Sequence, residues 1–192
     1  MYIYAKTTEN INSFNDIISL VKSYGSITIS VENKRSFREL DAIKNKCQGN
    51  GIVIVGSLSS LGINDNEIAI QLGWFINKPV ILVVCNIPST YEYGFSQPMN
   101  KAVLSAILQT AIGHSKNIVT IPQDRKSNAG RHKTSFPSNW DDLYNKWTNK
   151  EISSKDFIKQ TGLKKATFYN LLTEYKEIQQ INAEYIKKYR PG

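Results

Sequence analysis

Apolar residues in the first half of the chain follow two alternating patterns. Short runs rich in isoleucine, valine and leucine are typical of β-strands buried on both faces. Four short runs predict strands, at Tyr2–Ala5, Ser26–Val31, Gly51–Val55 and Val80–Val84, and the last two are near-continuous isoleucine, valine and leucine. Between these runs, apolar positions recur at helical spacing in residues 12–23, 36–46 and 64–75. Strands that alternate with helices predict an α/β fold with a mostly parallel sheet and crossover helices.

The rest of the chain is predicted to be helical. A helix is expected at Met99–Ile112, with Gly113 ending it. Residues 1–112 would then form the α/β domain, and residues 113–136, rich in polar and basic residues, a linker. Residues 137–192 would form an all-α domain. In it, Ser153 or Ser154 is placed to cap a short helix that ends at Gly162, and a second helix follows from Leu163 to Ile178. Two helices joined by a glycine turn predict a helix-turn-helix.

Length and composition are consistent with two folded domains in the cytosol. The chain has 192 residues, of which 41% are hydrophobic and 21% are charged. No apolar run reaches the length of about 18 residues that a transmembrane helix needs, and the first residues do not resemble a secretory signal. We therefore expect a cytoplasmic protein without membrane contact. Its two cysteines, Cys47 and Cys85, are expected to be reduced.

The charge of the chain is unevenly distributed. Residues 1–113 hold 9 basic and 8 acidic residues, whereas residues 114–192 hold 15 basic and 8 acidic residues. The net charge of +8 therefore lies almost entirely in the last part of the chain. Such an asymmetry indicates a nearly neutral domain joined to a module that binds a polyanion, with double-stranded DNA as the expected partner. A lysine-rich solvated surface is the alternative.

The helix-turn-helix interpretation identifies candidate DNA-binding residues. The second helix of this motif enters the major groove with its N-terminal residues at the base edges. Here those residues are Lys164, Lys165, Thr167 and Tyr169, while Phe168 and Leu171 would face the core. A basic arm upstream could lie in the minor groove through Arg131, His132 and Lys133. An ordinary helical hairpin with solvated lysines remains the alternative. No residue is assigned to a metal or a cofactor.

The segment from Gly130 to Tyr175 resembles the DNA-binding end of the small serine recombinases, the resolvases and invertases. The run Gly130-Arg131-His132-Lys133 is similar to their Gly-Arg-Pro-Lys arm, and residues 162–169 are similar to their recognition helix. Shorter matches lie upstream, at Tyr4-Ala5, Glu39-Leu40, Leu61-Gly62 and Pro98-Met99. The resemblance implies a resolvase-like α/β domain and a homodimer or higher homo-oligomer formed through helix 99–112.

The catalytic positions of that family carry other side chains in this chain. The family attacks DNA with a serine hydroxyl and stabilises the developing charge with arginines. The corresponding degenerate positions here are Lys6, Thr8, Phe37, Ser59, Ser60 and Ile63. Lysine cannot reproduce a bidentate guanidinium contact, and an isoleucine carries no charge. Because losing one transition-state donor costs on the order of 100- to 1000-fold, we predict no catalytic residues and no strand cleavage.

These observations favour a sequence-specific DNA-binding protein on a serine-recombinase scaffold. It would act as a catalytically inactive transcriptional regulator or architectural factor of the nucleoid, and an active recombinase is a further candidate partner. Two alternatives stay open. One is a site-specific resolvase or invertase in which Thr8 replaces the serine. The other is a protein that binds a nucleotide or a non-DNA partner through its α/β domain.

Overall fold

The computed structural model of the chain describes residues 1–21, 24–47, 50–114 and 134–189. Its contacts divide the chain into two units. The first comprises Met1–Ile121 together with Ile178–Gly192, and the second comprises Pro122–Glu177. The residues from Ile178 onward therefore group with the α/β unit, whereas the sequence placed them in the helical domain. Most of the predicted linker, with Arg131, His132 and Lys133, lies outside the described residues.

The first unit is built on a four-stranded sheet in which every strand pair is parallel, as predicted. Its strands lie in the order β2-β1-β3-β4. They are β1 (Tyr2–Lys6), β2 (Thr28–Glu32), β3 (Gly51–Val55) and β4 (Val80–Val84). The bounds of β3 and β4 are those predicted from their continuous apolar runs. The strands β1 and β2 each end one residue later than predicted, because Lys6 and Glu32 are paired in the ladder, and β2 begins at Thr28, two residues later than predicted.

Four helices accompany the described part of this sheet. They are α1 (Asn15–Val21), α2 (Arg38–Lys46), α3 (Asp65–Asn77) and α4 (Gln97–His114). The start of α3 is fixed by Asn64, whose side-chain oxygen accepts the Glu67 N–H at 2.9 Å. The expectation that Gly113 ends the fourth helix is wrong, since α4 continues through it to His114. A glycine inside a helix costs only about 1 kcal/mol, which neighbouring residues readily offset.

The described part of the second unit, from residue 134 onward, consists of three helices around an aromatic core. They are α5 (Trp140–Thr148), α6 (Ser154–Thr161) and the first turns of α7 (Lys165–Tyr189). Its buried residues are Trp140, Leu143, Phe157, Phe168, Leu171 and Leu172. The cap predicted at Ser153 is confirmed, because its hydroxyl and the Asp156 carboxylate form a reciprocal capping box. Gly162 ends α6 with a φ of 65°, in the left-handed region that favours glycine.

The end of α7 completes the core of the α/β unit. One face of the sheet packs against α2, α3 and α4, but the other is covered by α1 alone among the crossover helices. Three residues of α7, spaced by four, join this second face: Ile181, Tyr185 and Tyr189. A parallel sheet is stable only when both faces are covered, so residues 178–189 act here as part of the α/β fold. No helix in the described ranges is long and apolar enough to cross a membrane.

Candidate functional site

The degenerate catalytic positions cluster around the carboxyl ends of β1 and β3. In this sheet, β1 is followed by α1 on one face and β3 by α3 on the other. The crevice between two such strands is the usual ligand site of a parallel α/β sheet. Lys6 ends β1, Thr8 follows it, and Ser59 and Ser60 follow β3. The chain therefore brings these positions to the edge where a site is expected.

The Lys6 ammonium group is engaged inside the protein. Its side chain is almost entirely buried, with the residue 2% exposed. The Nζ atom lies 3.4 Å from Glu32 Oε1, donates to the Ser36 carbonyl, and sits 3.8 Å from the centre of the Phe37 ring. The Tyr4 hydroxyl donates to the same Glu32 oxygen. Burial lowers the pKa of Lys6, and the Glu32 carboxylate opposes this change. In this arrangement Lys6 does not face a DNA phosphate.

The crevice between β1 and β3 is filled by the side chain of Glu9. One carboxylate oxygen accepts the Lys6 backbone N–H at 2.7 Å, and the other accepts the hydroxyl of the buried Ser60. Gly56 lies so close that a Cβ atom there would be 2.7 Å from Glu9 Oε1. Burial raises the pKa of Glu9, and the two hydrogen bonds partly offset this. The buried Ser60 hydroxyl thus supports the half-buried carboxylate of Glu9 instead of facing solvent.

The other degenerate positions lie outside this buried network. Thr8 is exposed in the turn that follows β1. Ser59 is also exposed, and its Oγ lies 2.8 Å from that of Ser57. Ile63 is 56% exposed, and its backbone N–H donates to Glu67 at 2.8 Å. Within the described residues, no hydrogen bond or ion pair joins Thr8 or Ile63 to Lys6, so the structure does not assemble a catalytic group around Thr8.

Sequence reasoning missed the two carboxylates that organise this edge, Glu9 and Glu32. A partial signal exists for Glu32, since both it and Lys6 follow apolar runs that the fold pairs side by side. The role of Glu9 has no comparable signal, because a glutamate in a polar turn is normally solvated. Only the close approach of Gly56 and Ser60 shows that its carboxylate is partly withdrawn from solvent.

The residues predicted to contact DNA lie at the start of α7. Phe168 and Leu171 are buried in the aromatic core, as expected. Lys164 and Lys165 are exposed, and Tyr169 is 43% exposed. Thr167 differs from the other candidates because it is half-buried. The structure therefore brings two cations and one aromatic side chain to the surface of the same two turns.

The charge around this surface favours an anionic partner. The first turn of α7 contains no acidic residue, whereas the first turns of α3 and α6 contain Glu67 and Asp156. Backbone N–H groups at a helix start carry partial positive charge, and here the adjacent Lys164 and Lys165 add to it. Residues 155–173 contain four lysines and a single acidic residue. A phosphate group would be stabilised by both contributions.

Other candidate chemistry is absent from the described ranges. No group of three or more His, Cys, Asp or Glu side chains there is arranged to hold a metal ion. Cys47 is buried and Cys85 half-buried, both are free thiols, and burial raises the pKa of Cys85 to about 12. Such a thiol is not an activated nucleophile.

A cavity of about 410 Å³ opens beside Lys44, Trp74 and Lys78. It lies near the start of β4, away from the carboxyl edge of the sheet.

Comparison with known proteins adds no relative. No protein family model matches the chain, and no curated protein matches it significantly. The class that the structure supports is therefore a parallel α/β unit combined with a three-helix unit. The resemblance to serine recombinases stays a prediction.

Proposed function

We propose that this protein binds double-stranded DNA through the start of α7 and does not cleave it. The observation that carries the proposal is the exposed surface of Lys164, Lys165 and Tyr169 above a well-packed aromatic core. Lys165 and Tyr169 project from α7, and Lys164 lies in the turn just before it. This surface combines cationic side chains with a helix start that lacks acidic residues.

The helices α6 and α7 act in this proposal as a helix-turn-helix. The turn spans residues 162–164 and begins with a left-handed glycine, as many such turns do. In that motif the second helix lies in the major groove. Lys164 and Lys165 would then reach phosphates or guanine, and Tyr169 would reach the groove floor. The exposed cations fit a polyanion better than they fit a second protein surface.

The contacts that Lys6 and Glu9 make inside the α/β unit support the proposal that the protein does not cleave DNA. Phosphoryl transfer from a hydroxyl needs cations that face the phosphate as charge builds up. The Lys6 ammonium group is committed to Glu32 and Ser36, and Glu9 fills the crevice that would have to receive a phosphate. A DNA-binding protein of this kind acts as a transcriptional regulator or an architectural factor.

A homodimer on inverted half-sites is part of the proposal. Apolar side chains lie exposed or half-buried on α4 and the neighbouring α3, among them Met99 (47% exposed), Val103 and Ile70. Monomeric proteins rarely leave a contiguous apolar surface uncovered. A symmetric partner would cover it, and its symmetry would set the half-site spacing. An active recombinase with a similar helix could use the same surface.

The experiment is a salt titration of DNA binding by the full-length chain. The double variant Lys164→Ala, Lys165→Ala should bind a long mixed-sequence duplex more weakly than the wild type. The slope of log K against log salt should also fall by about 0.9 for each phosphate contact that is lost. Fluorescence anisotropy at several salt concentrations measures both quantities.

A matched control is Lys146→Ala, which removes an exposed lysine from α5 in the same unit. It should change affinity and slope less than the double variant does. If wild type shows no salt-dependent binding, or if the control and double variants behave alike, the proposed surface is wrong. Nicked or covalently linked DNA in the same reactions would show that the protein is an active recombinase instead.

A further inference from the structure

The first turns of α7 present one continuous solvent-facing surface. Its members are spaced along a single helix face and are all exposed: Lys165, Ala166, Tyr169, Asn170 and Thr173. The opposite face holds Phe168, Leu171 and Leu172 in the core. None of the five surface residues is acidic. We call them the reading face.

Asn170 is the one residue of the reading face whose side chain is a planar amide, with an N–H donor and a carbonyl acceptor side by side. Its amide makes no side-chain hydrogen bond within the part of the chain that the structure describes. The hydroxyl of Thr173, by contrast, donates to the Tyr169 carbonyl at 3.1 Å, which leaves its methyl group directed outward. Ala166 also presents a methyl group. The face therefore offers one amide between two small apolar contacts.

This combination matches one kind of base pair in the major groove. Adenine presents an N7 acceptor and an N6 donor, which an asparagine amide pairs bidentately. The thymine methyl group is recognised by apolar contact with alanine or threonine methyl groups. Lysine ammonium groups bind phosphates as point charges and carry less sequence information. The reading face is thus built to prefer an A·T pair.

We propose that Asn170 determines sequence specificity by pairing with an adenine in the major groove, with Ala166 and Thr173 beside thymine methyl groups. The proposal rests on the proposed DNA-binding function. The face from residue 165 to 173 is about 12 Å long, since a helix rises 1.5 Å per residue. At 3.4 Å per base pair this length covers about four base pairs, so one adenine within a short half-site is the expected target of Asn170.

The test selects bound duplexes from a library with a randomised central segment, using full-length wild-type protein and three variants. Asn170→Ala should retain binding but lose the preference at one A·T position, while the rest of the selected motif persists. On the wild-type motif, replacing that pair should weaken wild-type binding by about 5- to 160-fold, the discrimination of one bidentate pair. The same replacement should change the affinity of Asn170→Ala little.

Two further variants separate the possible failures. Asn145→Ala removes an exposed amide from α5 and should select the wild-type motif. Lys165→Ala should weaken binding to all duplexes and should keep the preference at the A·T position. A motif that Asn170→Ala selects unchanged would overturn the role of Asn170 while leaving DNA binding intact. Wild-type protein that binds no duplex would overturn the proposed function itself, and binding without any motif would overturn specificity.

Discussion

Lys6 and Glu32 are register partners on two parallel strands, and their charged atoms lie 3.4 Å apart inside the α/β unit. Each residue is at most 3% exposed. Removing one partner of such a pair leaves the other charge buried and unbalanced, which typically costs about 3–5 kcal/mol. Lys6→Ala should therefore lower the free energy of unfolding by about 3 kcal/mol, measured by urea denaturation.

The matched control is Lys34→Ala, at an exposed position in the segment that follows β2. A surface substitution of this kind should change the free energy of unfolding by less than about 0.5 kcal/mol. Equal stability of Lys6→Ala and wild type would contradict the structural role of this lysine. It would reopen the possibility that Lys6 serves a ligand.

Glu9 should make the stability of the protein depend on pH. Burial raises the pKa of this carboxyl above its ordinary value of 4.5, and its charge influences four titratable groups: Tyr4, Lys6, Cys85 and Tyr185. Between pH 4.5 and the raised pKa, the folded state holds a proton that the unfolded state has released. The stability that Glu9 contributes is therefore present at low pH, and it is lost as the pH rises from 4.5 through the raised pKa of its carboxyl.

The difference between wild type and Glu9→Gln isolates this contribution, since all other groups are common to both proteins. Urea denaturation at a series of pH values should show wild type losing stability relative to Glu9→Gln as pH rises above 4.5. A difference that stays constant with pH would mean that Glu9 titrates as an ordinary exposed carboxyl.

Thr8 should be dispensable for both folding and DNA binding. Its side chain is exposed in a turn, so Thr8→Ala should change the free energy of unfolding by less than about 0.5 kcal/mol. The affinity for DNA should also stay unchanged. Gel analysis for nicked DNA and covalent adducts should find none with wild type, Thr8→Ala or Thr8→Ser. An adduct that Thr8→Ala abolishes would identify Thr8 as a nucleophile.

Gly162 and Gly73 form a contrasting pair of glycines for a stability measurement. Gly162 has a φ of 65°, whereas Gly73 lies inside α3, and an added Cβ would meet no atom within 4 Å at either position. Gly162→Ala should cost about 1–2 kcal/mol from backbone strain alone. Gly73→Ala should be neutral or stabilise by up to about 1 kcal/mol, because alanine favours a helix. Equal effects in thermal unfolding would argue against the left-handed turn after α6.

Local patterns predicted the sheet and the short helices well. The apolar runs of β3 and β4, the cap at Ser153 and the turn at Gly162 are encoded within a few neighbouring residues. The buried carboxylates were not predictable in this way. Glu32 becomes buried through its contacts with Lys6 and Tyr4, and Glu9 becomes half-buried through the approach of the loop after β3. Burial of a charge is a tertiary property that no local pattern specifies.

The burial of the end of α7 was likewise not predictable from local sequence patterns. The apolar spacing of Ile181, Tyr185 and Tyr189 is visible in the sequence, but the predicted helix ends at Ile178, whereas α7 continues to Tyr189. The spacing does not identify the partner of this helix face. The partner is the second face of the sheet, which α1 alone among the crossover helices covers. The turn between α6 and α7 could be predicted because its residues are consecutive in the chain.

Tyr185 provides the sharpest test of this packing. It is buried among sheet residues, and its ring centre lies 5.7 Å from that of Phe14 in an edge-to-face arrangement. Truncating a large buried aromatic side chain typically costs about 3–5 kcal/mol, so Tyr185→Ala should lower the free energy of unfolding by that amount.

The Tyr185 hydroxyl is buried without a hydrogen-bond partner in the described structure. Tyr185→Phe removes that polar atom and should be neutral or stabilise the fold by about 1 kcal/mol. Urea denaturation of both variants checks the pair. If Tyr185→Ala unfolds like wild type, the end of α7 does not cover the sheet, and residues from Ile178 onward are not part of the α/β unit.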